Sequence, residues 1–549
     1  MANAAHGCGN TSHFVVWAFA ITIICVLYLR DALFLFSPYL VLCSLQQDKH
    51  DSTGIGTISL FGLILLAAIS LVKLTFAIAS ISILCLSLFL PGKAWQRVAP
   101  IVLYLLCLML LWVFSGQQPA DLHAYFVEAI PIVSGYTDAM SLDGSLLPVV
   151  LFVVGAVIAF LISVAARRSV EALAMLMTLF FSFKAAYVRQ DIHEVIAAGT
   201  LMLISLWHVG RKPDVRTMGL VLISLVLCCY SIRVQANLGP RQLAETWARH
   251  AEESLLGVIA LASDPHSFEK RFRRDLKEIA RQHPVKGKGS LDSYSYHQTA
   301  VIANGAVWNP RPVMQSYSAY TAALAEANAT HLSQQTRPDR LLFHVEPIDG
   351  RFSSMDDGRS WPEIWSHYSL TGLTSAGLLF QAEDKRHMKY ARVTHLRARL
   401  GDEVSIAERR GELVWVRVEM KKTLSGKLLG LLFRPPHLRI DVKDVSGRWV
   451  SYRYLASVGE GGFLLSPKVN DSREFEKLTR AIEQGEAAPY SVDAFRIAQS
   501  TSWIQAYEPE IAMELSTLEF EVRPEVGAAA SMQTETAIQP QSPAAHRWP

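Results

Sequence analysis

Long apolar runs fill the first 235 residues of this 549-residue chain and are nearly absent afterwards. Crossing a bilayer as a helix takes about 20 apolar residues. Segments 14–29, 99–114, 147–166, 171–187, 194–209 and 217–233 fit. The run 57–90 is too long for one crossing, and Lys73 stands at its middle. A lysine at mid-membrane is costly, so the run is read as two helices joined by a tight turn at Lys73.

The second half has a different rhythm. Residues 240–282 carry helical spacing in ETWARHAEESLLGVIALA and a charged amphipathic stretch in EKRFRRDLKEIARQ. The basic run Lys270 to Arg274 suits anionic headgroups or plain solvation. Residues 340–346 read as a strand, with a helix from about Trp361 and a second strand near 377. From 389 onward, LVWVRVEMKK, LRIDVKDV, WVSYRYLAS and GFLLSP alternate like strands between turn residues, with further strands at 490–498 and 511–522. The expected fold is a membrane α-helical bundle of about eight or nine transmembrane helices. A soluble α+β region follows and ends in a β-sandwich-like domain. The divisions are a bundle at 1–235, an α/β region at 236–388, the sandwich-like unit at 389–523 and a disordered tail at 524–549, which is rich in Ala, Gln, Pro, Ser and Thr.

Charge sets the orientation. Lys93, Arg97, Arg167, Arg168, Arg211, Lys212 and Arg216 occupy alternate short loops, which predicts that these face the cytoplasm. The stretch 115–146 has no Lys or Arg but carries Asp121, Glu128, Asp138 and Asp143, and is read as an outer loop. The alternation sends residue 234 onward to the periplasm of a bacterial inner membrane. If 30–45, with Pro38, is interfacial there are eight crossings; if it crosses there are nine. The net charge of +3 gives no reason to expect a nucleic-acid partner. All seven cysteines lie at or before residue 229, so the soluble half holds no disulfide. No metal-ligand spacing, Walker motif, dinucleotide fingerprint, GxSxG or HExxH occurs, and no cofactor is expected.

Candidate chemistry concentrates in two places. FFSFKAAYVRQDIHE packs Lys184, Arg189, Asp191, His193 and Glu194 into eleven residues of an outer turn. Lys184 and Arg189 suit a lipid phosphate; Asp191 or Glu194 suits a base, and His193 an acid or base. The competing reading is a salt-bridged turn with snorkelling cations. Trp308, Arg311, Gln315, Tyr317 and Tyr320 combine planar stackers, amides and a guanidinium. That mix fits a glycan or phosphate, and equally a domain interface. Asp356 and Asp357 suit a cation or the turn before a helix.

WNPRPVMQSYSAYTAALAEANATHL, followed by IDGRF and DDGRSW, with SGYTDAMS, FKAAYVRQDIHE, RWVSYRYLAS and GFLLSP elsewhere, resembles a group of uncharacterised bacterial polytopic membrane proteins. The layout is similar to GT-C glycosyltransferases. Those combine a polytopic bundle, a polar outer-face cavity and a periplasmic domain, and they place a catalytic acid in the first outer loop. Asp31 takes that place only with nine crossings. The resemblance implies a transferase that takes sugar from a polyprenyl-phosphate carrier to an envelope glycan. The alternative is a non-enzymatic scaffold or accessory subunit of a polysaccharide system, with envelope protein partners. Membrane lipid is a partner in either case.

Overall fold

The computed structural model describes residues 30–50, 54–166, 168–384, 386–501 and 504–522. The expected span 14–29, Arg167 and the tail 524–549 lie outside them.

The helical half comprises α1 (Arg30–His50), α2 (Thr57–Val72), α3 (Leu74–Leu84), α4 (Ala94–Phe114), α5 (Asp121–Met140), α6 (Leu146–Ala165), α7 (Ser169–Tyr187), α8 (Glu194–Arg211) and α9 (Val215–Gln235). Among the described residues, α4, α6, α7 and α9 are long and apolar enough to cross a membrane. They mark the protein as membrane-embedded. Leu110, Val157 and Leu222 are among the large apolar side chains they expose, as a lipid-facing surface requires. Lys73 is extended, with φ −157° and ψ 131°, and separates α2 from α3. Its Nζ lies 3.4 Å from Asp31 Oδ2.

Two stretches of this half are more ordered than their composition suggests. Residues 30–50 form one helix with Pro38 inside it, and Leu35, Phe36, Tyr39 and Leu42 lie in the bundle core. Their polar neighbours find partners indoors: Tyr39 Oη donates to Glu171 at 2.9 Å and Ser44 Oγ pairs with Ser59 Oγ at 2.7 Å. Likewise, 115–146 is mostly helix. α5 runs through Pro131; its first half is largely exposed, and Gly135 and Ala139 near its end are buried.

Beyond α9 come α10 (Pro240–Ser263) and α11 (Ser267–Gln282), neither of which buries a residue. A mixed five-stranded sheet follows, ordered β2-β1-β3-β5-β4. In it β1 (Ser290–Ser293) runs parallel to β2 (Val307–Trp308) and β3 (Arg340–Phe343). β4 (Tyr368–Thr374) and β5 (Gly377–Ala382) complete it antiparallel. Helices α12 (Gln298–Ala303), α13 (Ala322–Ser333) and α14 (Ser360–His367) intervene.

The last segment builds two four-stranded antiparallel sheets, β10-β9-β12-β7 and β11-β8-β13-β6. Their strands are β6 (Arg386–Arg399), β7 (Val404–Ser405), β8 (Leu413–Glu419), β9 (Leu438–Asp444), β10 (Trp449–Tyr454), β11 (Phe463–Ser466), β12 (Val492–Gln499) and β13 (Glu510–Val522). α15 (Leu424–Leu432), α16 (Ala456–Gly459) and α17 (Ser472–Gln484) connect them. Val414 and Met513 from one sheet share a hydrophobic cluster with Ile440 and Ile497 from the other. The proposed boundary at 388 falls inside β6. A second cluster draws on both sides of it, setting Phe343, Trp361 and Trp365 around Phe475 of α17. Phe475 stacks on Phe343 at 4.1 Å and on Trp365 at 5.2 Å between centroids.

Candidate functional site

The turn after α7 meets the sheet-rich half of the chain directly. Lys184 Nζ donates to the carbonyls of Gly430 (2.9 Å) and Phe433 (2.7 Å), at the end of α15. Arg189 donates through Nη1 and Nη2 to the two oxygens of Asp349, at 2.8 and 3.1 Å, and through Nε to Asp191 at 2.7 Å. Asp191 also accepts from the His193 backbone N–H at 3.0 Å and pairs with its Nδ1. Partial burial would raise the Asp191 carboxyl, but the bonds from His193 and Arg189 outweigh it and bring it down to about 2. Glu194 is buried and accepts from Gln190 Nε2 at 3.3 Å. The groups read as phosphate ligands and bases are thus engaged by the chain itself.

The end of α5 explains why so much charge gathers here. The last carbonyls of a helix lack intrahelical donors and carry partial negative charge. Three arginines from other elements supply donors. Arg453 Nη2 reaches the Asp138 carbonyl at 2.8 Å, Arg351 Nη2 that of Ala139 at 2.8 Å, and Arg189 Nη1 that of Met140 at 3.4 Å. Lys422 adds an ion pair to the Asp138 carboxylate at 2.6 Å. Burial, and then the neighbouring Arg351 charge, press the Arg453 guanidinium down to about 10. Arg434 donates to Gln190 Oε1 at 2.6 Å, closing the seam on the other side.

The second group of predicted residues divides. Arg311 is fully buried; it donates to Asp292 at 2.9 Å, Asp357 at 2.5 Å and the Ser293 carbonyl at 2.9 Å. Its guanidinium is enclosed and cannot meet a ligand. Asp357 also accepts from Asn328 at 2.9 Å and Ser360 Oγ at 3.0 Å, and burial pushes its carboxyl up to about 7 against these bonds. Asp356 pairs with Arg351 at 2.6 Å. The acidic pair is therefore turn and core structure, and no group that could hold a metal occurs among the described residues. Tyr320 packs edge-on against Tyr136 of α5 at 6.1 Å, inside the seam. Half-buried Trp308 sits in β2, away from it. The Tyr317 hydroxyl donates to Gln315 Oε1 at 2.8 Å, beside a cleft.

That cleft is a narrow crevice with about 10 Å³ of free space, room for about one water, and it lies past the carboxyl ends of the parallel strands β1 and β3, where open α/β sheets place ligands. Ser295 and Tyr296, just past β1, and His344 and Glu346, just past β3, line it, and His297 follows next in the chain, beside it. His297 Nε2 and Glu346 Oε2 are 2.6 Å apart, and Ser295 Oγ donates to the same oxygen at 3.3 Å. Tyr296 stacks on His297 at 4.9 Å, and His344 lies 4.6 Å from it, ring to ring. Burial, and then the His297 charge, lower the His344 imidazole to about 4, so it is neutral at ordinary pH. Ser295, which lines the cleft, holds φ +82°, in the left-handed region. A carboxylate fixing one imidazole nitrogen leaves the other to exchange a proton with a hydroxyl-bearing ligand. Sequence reading missed His297, His344 and Glu346. Their signal is a His just past one strand and a His-Val-Glu just past another, and it carries meaning only once the two strands are known to be parallel neighbours.

Compared with protein-family models, curated proteins and solved structures, the chain matches none.

Proposed function

We propose that this is a multi-pass inner-membrane protein with eight or nine crossings. Its periplasmic half, ending in a β-sandwich-like unit, is held in fixed register on the bundle, and it serves as a scaffold or accessory subunit of an envelope polysaccharide system. The observation that carries this reading is the capping of α5 by Arg453, Arg351 and Arg189. Three buried or half-buried guanidiniums from separate elements are a costly joint unless orientation matters. The alternation of basic loops supports the side, and the resemblance to uncharacterised bacterial polytopic membrane proteins supports the membrane setting.

A second reading is favoured by the His297–Glu346 pair. The protein would be a lipid-linked-sugar-dependent transferase acting on an envelope glycan. In this reading the His297–Glu346 pair, not the turn at Asp191, accepts the proton of the attacking sugar hydroxyl.

One experiment separates the two. A null strain is complemented with Arg189→Gln/Asp349→Asn or with His297→Gln/Glu346→Gln, and envelope polysaccharide and co-purifying partners are measured. The scaffold reading expects the seam variant to lose both and the cleft variant to keep both. Loss of polysaccharide in the cleft variant, with partners still bound, overturns it in favour of the transferase.

A further inference from the structure

The chain leaves two apolar surfaces uncovered on one side of the bundle. α8 packs on both α7 and α9 across links of only six and three residues, and Gln235 at the end of α9 bonds Glu194 at the start of α8, so Tyr187 and Gln235 end at the same face.

The first surface belongs to α15. Its Leu428, Leu431 and Leu432 are 50%, 64% and 57% exposed, although the end of this helix is tied to the bundle. Lys184 binds the Gly430 and Phe433 carbonyls, and the Phe433 ring packs on Phe183 of α7 at 5.5 Å. The leucines therefore sit beside the end of a membrane-spanning helix. Leucines there face either lipid or water, and three together facing water are unfavourable.

The second surface lies on α10, which follows α9 after four linking residues, and it starts at Leu255, twenty residues past Gln235. α10 is about 36 Å long at the usual rise. Its final turns, Leu255 to Leu261, are apolar on nearly every side, and the five large side chains there are 51% to 66% exposed. A helix apolar all round is stable only when immersed. The following turn leads into α11, where Phe268 and Phe272 lie nearly parallel at 6.4 Å and are 73% and 50% exposed. α11 carries six Lys or Arg against three Asp or Glu. Several of these pair locally, as Arg273 does with Glu269 at 2.5 Å, and a positive excess remains beside the phenylalanines. Aromatic and apolar side chains next to Lys and Arg are what the interface of an anionic leaflet binds.

We infer that the soluble half rests on the bilayer at two points, the α15 leucines and the α10–α11 hairpin, both seated in the leaflet where α7 and α9 end. The occupant of these surfaces is anionic phospholipid. The interfacial hairpin and α15 hold the soluble half over the membrane on the side of the bundle where Lys184 anchors it.

The full chain, with its native cysteines replaced, is reconstituted in phosphatidylglycerol-containing nanodiscs. A single cysteine is placed by Leu431→Cys, Ile259→Cys, Phe268→Cys or, as an exposed-turn control, Ser446→Cys, and carries an environment-sensitive fluorophore. The three test labels should shift to the blue, lose emission to acyl-chain nitroxide lipids and resist aqueous iodide, while the Ser446 label does the reverse. Replacing phosphatidylglycerol by phosphatidylcholine should weaken the effect at Phe268 more than at Leu431. Iodide access at Leu431 and Ile259 equal to that at Ser446 overturns the inference. So does protection from both quenchers with cross-linking between copies, which would make the occupant a second chain.

Discussion

Arg189 and Asp349, 160 residues apart in sequence, meet in a two-pronged ion pair, Nη1 to Oδ2 at 2.8 Å and Nη2 to Oδ1 at 3.1 Å. The pair joins a turn of the membrane bundle to a loop of the soluble half. The partners are mostly shielded, with 17% and 10% of their side chains exposed. Charge-assisted bonds in such a setting are worth about 1.5–3 kcal/mol. Arg189→Gln should therefore lower the stability of the seam by that order, read as earlier thermal release and protease cleavage of the soluble half. Arg189→Lys should not restore it, because an ammonium cannot span both oxygens. Wild-type protease resistance in Arg189→Gln would show that the seam does not depend on this pair.

Arg311 bridges two buried carboxylates, so removing it strands both. Arg311→Met should cost about 3–5 kcal/mol of folding stability. Asp357→Asn should cost much less: burial pushes that carboxyl up to about 7, and a neutral amide still leaves Arg311 its pair with Asp292. Denaturant unfolding followed through tryptophan fluorescence orders the two variants. Equal losses would contradict the argument.

Acid should loosen the seam. Asp191 is held at about 2 in the folded protein against an ordinary value of 3.8. A carboxyl depressed by folding contributes stability that is complete above its unfolded value and lost as pH falls through the folded one. Resistance of the seam to proteolysis by an acid-active protease should be constant above about pH 4 and decline towards pH 2. Asp191→Asn should remove the part of that decline due to this group.

Gly135 of α5 lies against the soluble half. A Cβ there would stand 2.6 Å from Tyr320 Cβ and 3.1 Å from the Tyr320 carbonyl oxygen. Because one obstacle is backbone, Gly135→Ala should force α5 and the segment before α13 apart, at about 1–3 kcal/mol, despite its better helix propensity. A melting temperature equal to wild type would mean that the seam yields without loss.

The cleft supplies the last prediction. Glu346→Gln replaces the carboxylate oxygen that holds His297 Nε2 at 2.6 Å by an amide. The His297 ring should then lose its fixed orientation, read as changed ring proton shifts and line widths by NMR. Ring signals identical to wild type would show that this contact does not hold the imidazole.

Apolar runs made the membrane half legible, and the break at Lys73 followed from the cost of a buried ammonium. Alternating Val, Leu and aromatic residues likewise marked β8, β9, β10 and β12. Where polar side chains are satisfied inside the protein, composition misleads. Ser44, Asp48 and Pro38 dilute the hydropathy of α1, yet Asp48 and Ser44 bond within the bundle. α5 looked like a loop because its carboxylates and prolines are dense, yet one end of it is a docking surface. β6, RHMKYARVTHLRAR, hardly alternates, and it is a strand because β13 pairs along its length.

The sequence by itself determined that the protein lives in a membrane, where the apolar half ends, and which ionisable residues gather at the turn from Lys184 to Glu194. Those properties depend on solvation and local spacing, which each segment carries alone. Only the tertiary structure decided what those residues touch. Lys184 and Arg189 face carbonyls and a carboxylate from more than 150 positions away, and Arg311 lies enclosed by Asp292 and Asp357. Glu346 meets His297 only because β1 and β3 are parallel neighbours. Whether a charge is free for a ligand or occupied by its own chain is set by long-range pairing, and the spacing of residues along a segment holds no record of it.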